Sequence, residues 1–469
     1  MSKEKYTNKT ESKDKIPVYS KASYGAGAFV LQMGNQSVQY LANLIFNIEL
    51  GLSLGLIGLA MMIFRIYDAF LDPYMGNLSD NTRTKLGRRR PYLFIGSILS
   101  GLTFPLIWMI PEGLETHVTL GLFMLSAIIF YTSFTIFVVP WETLSAELTP
   151  DYHERTSVVS YRILAQMLSW GFMGWIYAIT NLPIFENTLQ GMRWTATGIG
   201  LLIIIFGLLP AFFCKERFEK VASKQHKIGF LESIKLSFSN KPFRVVLGLL
   251  LLMTLGENLV ITLGQYLNIY YVFNGVKAKA AIVMGYSDTA KTITSFLALP
   301  IALWISKRYG KRRLMYTALC TAFIAVISKW FFITPSHPNW QIIIGALLGL
   351  GFTPFWVALV AMIGDVADYD EDKNRTRREG SYTAIYTWVF KFSLALTLFL
   401  GNVVMESTGF KIDLAGSQNP ETFLLMRIAL VSITSICVMG CFWLVQIYPL
   451  TEKRAYEIRE SLEYKRGVV

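Results

Sequence analysis

Twelve runs of mostly apolar residues constrain this chain more than any other feature, because each approaches or exceeds the roughly 20 residues a helix needs to cross a hydrocarbon core. Their approximate limits are 23–48, 54–78, 91–111, 118–141, 161–182, 194–214, 243–273, 282–306, 313–333, 340–368, 381–407 and 422–448. Several are long enough to tilt or to project beyond the bilayer. Composition agrees: 53% of the 469 residues are hydrophobic and only 16% are charged, whereas a soluble chain carries about a quarter charged residues. A soluble enzyme, a disordered protein and a secreted disulfide scaffold are excluded. The expected fold is an all-α membrane protein with 12 transmembrane helices in two pseudo-symmetric six-helix bundles, immersed in a lipid bilayer.

Orientation follows from Lys and Arg, which cytoplasmic loops retain during insertion. The two tails and the even-numbered breaks hold 34 of the 44, window edges included, and the odd-numbered breaks hold only Arg193, Lys277, Lys279 and Lys411. Both termini are then expected to be cytoplasmic. The +12 net charge is this topology signal and requires no nucleic acid. The expected layout is a tail over 1–22 without signal-peptide character, a first bundle over 23–214, a basic linker over 215–242, a second bundle over 243–448 and a tail over 449–469. Cys214, Cys320, Cys437 and Cys441 lie in apolar stretches without metal or redox spacing and read as packing residues.

The two halves repeat one another. Gly87-Arg88-Arg89-Arg90 after the second window and Gly310-Lys311-Arg312-Arg313 after the eighth are offset by 223 residues, and the same offset lays Glu142 and Arg155 over Asp365 and Arg378. Transporters are often built from such repeats. Charges at these helix ends, Asp80, Arg88, Arg89, Glu142, Arg155, Asp365, Asp368 and Arg378, read as clamps that hold helices together in one state and release them in another.

Ionisable groups inside apolar windows mark function by default, since each costs several kcal/mol without a partner or water. Arg65, Asp68 and Asp72 are spaced by three and four on one face of the second window. Two carboxylates and one guanidinium suit an alkali cation or a proton, and alternatively a structural Arg–Asp brace. Pro73 frees a backbone carbonyl beside them. The first window carries an amide stripe, Gln32, Asn35, Gln36, Gln39 and Asn43, fit either for a polyol ligand or for interhelical hydrogen bonds. Trp141, Tyr161, Arg162 and Gln166, then Trp356, Tyr382, Tyr386, Trp388 and Lys391, add aromatic and cationic groups of the kind that grip sugar rings. Asp288 and Lys291, three apart, read as a self-neutralising structural pair.

These residues resemble the glycoside–pentoside–hexuronide:cation symporter family, melibiose permease-like members of the major facilitator superfamily. The resemblance covers nearly the whole chain. It rests on Tyr24-Gly25-Ala26-Gly27, on Arg65-Ile-Tyr-Asp68-Ala-Phe-Leu-Asp72-Pro73 with Gly87 to Pro91 after it, and on Phe355-Trp356 leading to Asp365-Val-Ala-Asp368-Tyr369. It implies that Asp68 and Asp72 form the coupling-cation site, with Thr135 as a hydroxyl ligand and Lys391 close by, and that Arg162 and Trp356 line the sugar cavity. Where melibiose-type members place sugar-gripping acids, this chain has Gln32 and Val138. With Arg162 and Lys391 kept, that departure points to a more electropositive cavity and to a uronide or related acidic glycoside. Leu71 stands where sodium-coupled relatives often place an amide, which leaves Na+ and H+ both open.

The expected function is cation-coupled symport of a sugar, glycoside or uronide by alternating access, without a cofactor or an obligate protein partner, in a bacterial inner membrane. The substrate set is Gln32, Asn35, Gln36, Gln39, Arg162, Gln166, Trp356, Tyr386 and Lys391. The rival is a lysolipid transporter of the same superfamily. An enzyme is not expected, since the sequence shows no nucleophile–base pair, metal cluster or phosphate loop.

Overall fold

The computed structural model describes residues 15–149, 152–214, 216, 238–374, 379–450, 454, 457–458 and 460–462, and these contain helices and no strand. A backbone that crosses lipid must satisfy its own hydrogen bonds, and an uninterrupted apolar run can do so only as a helix. In chain order the helices are α1 (Val18–Gln32), α2 (Val38–Ala42), α3 (Leu54–Asn81), α4 (Arg90–Thr103), α5 (Thr116–Leu148), α6 (Tyr152–Thr180) and α7 (Thr188–Phe213). They continue as α8 (Lys241–Asn258), α9 (Ile261–Tyr266), α10 (Lys277–Phe332), α11 (Gln341–Asn374), α12 (Glu379–Ser407) and α13 (Pro420–Ile447). Asn187, Asn240 and Asn419 start α7, α8 and α13 by accepting a backbone N–H into their side chains.

Among the described residues, ten helices are long and apolar enough to cross a bilayer, judged by length and composition. The windows expected at 282–306 and 313–333 share one of them, α10, whose two parts meet at Gly310. The window at 23–48 falls on α1 and α2, which π-turns at Met33–Ser37 and Asn43–Asn47 interrupt. A third π-turn, Leu267–Val272, lies at the corresponding end of the first long helix after the linker. Outward faces carry large apolar side chains such as Leu125, Leu201, Ile324 and Ile436, each more than half exposed, as a lipid-facing surface requires.

The chain divides into two compact units, Met1–Leu52 with Tyr67–His226, and Ser53–Ile66 with Lys227–Val469. The second unit therefore takes the first half of α3, which lies outside the 243–448 bundle expected from the windows. Close glycine packing is the reason. Gly55 N–H donates to Glu406 Oε1 at 2.7 Å, and a Cβ on Gly58 would stand 3.0 Å from Asn402 Nδ2.

In the first unit, aromatic rings fill the core: Phe46 packs on Phe123 at 4.1 Å, Phe104 on Phe130 at 5.4 Å, and Trp141 stacks on Tyr24 at 5.2 Å. The Tyr24-Gly25-Ala26-Gly27 motif makes the last contact fit. A Cβ on Gly25 would come within 2.8 Å of Tyr161 O, and one on Gly27 would overlap the Trp141 indole. In the second unit, α8, α10, α11, α12 and α13 bury one continuous cluster that includes Phe243, Leu319, Phe355, Leu359 and Tyr382.

Candidate functional site

The first unit holds a buried carboxylate on α3. Asp68 is 1% exposed, and the Thr135 hydroxyl of α5, itself 2% exposed, donates to Asp68 Oδ1 at 3.0 Å. One residue earlier the Tyr67 and Thr132 hydroxyls lie 2.9 Å apart, a second rung between the same helices. Arg65 is also buried, and Asp72 is half-buried one turn further on, with Pro73 inside the helix beside it. Carboxylate and hydroxyl oxygens in an apolar helix pair are hard ligands of the type an alkali cation or a proton selects. Lys391 is half-buried on α12.

The amide stripe runs across the π-turn at Met33–Ser37; along it Gln32, Gln39 and Asn43 are buried while Asn35 and Gln36 are half-buried. Gln166 Nε2 donates to Gln32 Oε1 at 3.2 Å. Gln32 Nε2 has no hydrogen-bond partner among the described residues although Gln32 is only 3% exposed, which leaves one amide donor for a ligand or water.

Arg162 and Glu142 were assigned to different roles by sequence, and the structure makes them one pair. Arg162 Nη2 stands 2.9 Å from Glu142 Oε1, with the guanidinium 4.8 Å above the Trp141 ring. Glu142 therefore offsets charge on Arg162. Trp141 is fully buried and its Nε1 donates to Tyr24 O at 3.0 Å, so it is a packing residue and not a cavity wall. Tyr382 is likewise buried, accepting from Asn240 Nδ2 at 3.0 Å, while Trp388 is 44% exposed and Tyr386 half-buried.

The second unit contains a cluster that sequence reading missed. Lys291 of α10 places Nζ 3.0 Å from Glu257 Oε1, and Trp356 of α11 donates Nε1 to Glu257 Oε2 at 3.2 Å. Asp288, the expected partner of Lys291, lies within its electrostatic reach, and Glu257 of α8 adds an ion pair from a second helix. Lys329 also feels Glu257 and Lys291. A signal was present: Glu257 is the only acid in the window 243–273.

Residues 23–452 match the profile of the family described as MFS/sugar transport protein. The chain belongs to that family. As a member it is a membrane transporter and not an enzyme. It is similar over 465 residues to the inner membrane symporter YicJ of Escherichia coli (strain K12), at 25% identity over 95% of each chain. Likeness to the isoprimeverose transporter of Lactiplantibacillus pentosus is 24%, over 86% of this chain and 83% of the relative. Among solved structures, the nucleoside transporter NupG superposes with a TM-score of 0.60 at 13% identity, over 92% of this chain and 98% of NupG. The D-xylose-proton symporter does so at 0.58 and 13%, over 90% and 95%. These structural likenesses establish the all-helical major facilitator fold.

The transporter's two glycine–basic loops adopt the same local form. Gly87 and Gly310 have φ of 105° and 82°, in the region that favours glycine, the first in the loop between α3 and α4 and the second at the kink of α10. After Gly87, Arg90 Nε donates to Ala211 O at 2.8 Å; after Gly310, Arg312 Nη2 donates to Gln446 O at 2.8 Å. Each arginine ties its loop to the last long helix of its half. Asp80 lies 3.2 Å from Arg89 and 3.9 Å from Arg88, and Asp365 accepts from Lys311 Nζ at 2.7 Å. Burial, then the Arg88 charge, lowers the Arg89 pKa from its ordinary value, and Asp80 opposes both. Asp368 is half-buried on α11. Arg378 and the Arg155 side chain lie outside the described residues.

Glu216, another group not singled out by sequence, accepts the backbone N–H of Arg88, Arg89 and Arg90 at 3.0, 2.9 and 3.2 Å, capping α4 from more than 120 residues away. Glu216→Ala is expected to lower stability by about 1–3 kcal/mol, since three helix-end donors lose their acceptor. The thermal unfolding midpoint in detergent reads this, and an unchanged midpoint would mean that water replaces the carboxylate without cost.

Proposed function

We propose that this transporter couples entry of Na+ or H+ to uptake of a sugar or glycoside by alternating access, with both termini cytoplasmic in a bacterial inner membrane. The observation that carries the reading is the buried Asp68 carboxylate receiving the Thr135 hydroxyl at 3.0 Å between two helices long and apolar enough to cross a membrane. Asp68 and Asp72 hold the ion and Thr135 supplies a hydroxyl ligand. Filling an acidic site with a cation removes the charge penalty on occlusion, and ligands shift the balance of states only by differential affinity. Gln32, with its spare amide donor, Asn35, Gln36, Gln39, Gln166, Trp356 and Tyr386 contribute to sugar recognition. Asp80, Arg88, Arg89, Glu142, Asp365 and Asp368 serve as the clamps.

A neutral glycoside fits better than a uronide. Glu142 offsets Arg162 and Glu257 engages Lys291, so these two cations are already met by carboxylates of the protein. Relatives are named for isoprimeverose, a neutral disaccharide, and for sulfoquinovose, a sugar that carries a sulfonate, so the test needs neutral and anionic probes. Proteoliposomes with sodium and pH electrodes test the reading against isoprimeverose, methyl glycosides, D-glucuronate and a lysolipid. Inward cation movement with a neutral glycoside is the expected result. Movement with D-glucuronate alone reinstates the acidic substrate, and transport of lysolipid alone overturns the sugar reading.

A further inference from the structure

We infer that Glu257, held by Lys291 and Trp356, is a hydroxyl-accepting sugar subsite carried wholly by the second unit. The inference rests on the proposed sugar transport and names a residue that decides which sugars enter. Glu257 makes two hydrogen bonds among the described residues, one per oxygen: Lys291 Nζ donates to Oε1 at 3.0 Å and Trp356 Nε1 to Oε2 at 3.2 Å. A carboxylate offers about four acceptor positions. Two therefore remain on a group whose orientation is already fixed from two sides. Two adjacent acceptors match a pair of neighbouring sugar hydroxyls.

The pair is not sealed in the core. Glu257 and Lys291 keep 19% and 31% of their side chains exposed, in helices whose lipid-facing surface could not hold a carboxylate without large cost. That exposure is thus directed to water inside the protein. The surroundings continue the polar lining. Thr353 Oγ1 donates to Ser295 Oγ at 2.8 Å, and Asp288 and Lys329 lie within electrostatic reach. Trp356 supplies an indole next to the carboxylate, and an aromatic ring beside hydrogen-bond acceptors suits a sugar, which has an apolar C–H face and polar edges.

Lys291 is a positioning residue in this arrangement. Its ammonium, 3.0 Å from Oε1, keeps the Glu257 carboxyl group aimed and offsets its charge. An acidic sugar would bring its own negative charge against Glu257, and the subsite selects against it. The competing role is a structural ion pair bracing α8 against α10, and the test separates the two.

Binding of isoprimeverose, methyl β-D-xyloside, methyl α-D-glucoside and methyl α-D-galactoside to the purified full chain is measured by calorimetry, with the monodeoxy analogues of whichever probe binds. Glu257→Gln is expected to weaken the bound probe about tenfold, the value of a hydrogen bond to a charged acceptor. It is also expected to erase the wild type's preference for the parent over one deoxy analogue, because the lost hydroxyl no longer has its acceptor. The charge-neutral double variant Glu257→Gln with Lys291→Gln should stay equally weak, and it removes the risk of an uncompensated lysine preventing folding. Glu257→Asp should recover part of the affinity. Restoration of wild-type affinity by the double variant would show a structural pair and overturn the inference, as would unchanged affinity or unchanged deoxy discrimination in Glu257→Gln. If the wild type moves cation with D-glucuronate and binds none of the neutral probes, the subsite is refuted while transport stands. If no sugar is bound or moved, the transport reading itself fails.

Discussion

Asp68→Asn is expected to abolish cation-driven accumulation while leaving the helix pair in place. Asparagine retains a carbonyl oxygen to accept from the Thr135 hydroxyl, so the 3.0 Å contact that joins α3 to α5 can persist. What it loses is the full negative charge that attracts an ion in a poorly screened setting, where charge–charge terms are large. The apparent cation affinity should fall by about 100-fold or more, as expected when a charged ligand worth about 3 kcal/mol is removed. Thr135→Ala should have a smaller effect, about tenfold, and Thr135→Ser should restore most of it. Electrodes in proteoliposomes read the coupling, and exchange of labelled sugar down its own gradient reads whether the variant is folded. Full cation coupling in Asp68→Asn would sink the assignment.

Gly27→Ala is expected to be among the most destabilising single methyl groups that could be added to this chain. The new Cβ would overlap the Trp141 indole, which is itself fully buried, stacked on Tyr24 and donating to Tyr24 O. The ring cannot retreat without breaking that bond or entering its aromatic neighbours, such as Phe137 at 6.3 Å. Overpacking of this kind costs about 1–3 kcal/mol, and a displaced indole N–H adds to it. Gly198→Ala provides the matched control, because nothing lies within 4 Å of the Cβ it would add. The unfolding midpoint should drop for the first variant and hold or rise slightly for the second. Equal behaviour of the two would show that α1 has room to move away from α5.

Much of the site was visible along the chain because membrane helices penalise ionisable residues so strongly that those present stand out. Asp68 and Thr135, one read from its place in an apolar run and one from family resemblance, are brought together by the structure. Glu257 carried a signal of the same kind as Asp68, an acid inside an apolar window, and was passed over because the nearby Asp288–Lys291 spacing offered Lys291 a local partner. Pairing at three residues is a property of one helix, whereas the Glu257 contact crosses from α8 to α10. Glu142 and Arg162 were separated for a similar reason, one near a loop and the other within a window, although the folded chain sets them 2.9 Å apart.

By itself the sequence determined the all-helical membrane class, the repeat offset that puts glycine at both Gly87 and Gly310, and the presence of acids where lipid forbids them. These depend on composition and spacing along one strand of chain, which hydrophobic thickness and helix geometry read directly. Tertiary structure decided that Arg162 meets Glu142 and Lys291 meets Glu257, that π-turns at Met33–Ser37 and Asn43–Asn47 interrupt the first apolar run, and that Ser53–Ile66 joins the second unit. Such outcomes turn on contacts between helices far apart in sequence, and in the low-dielectric interior a displacement of a few ångströms changes both the partner and the energy of a charge.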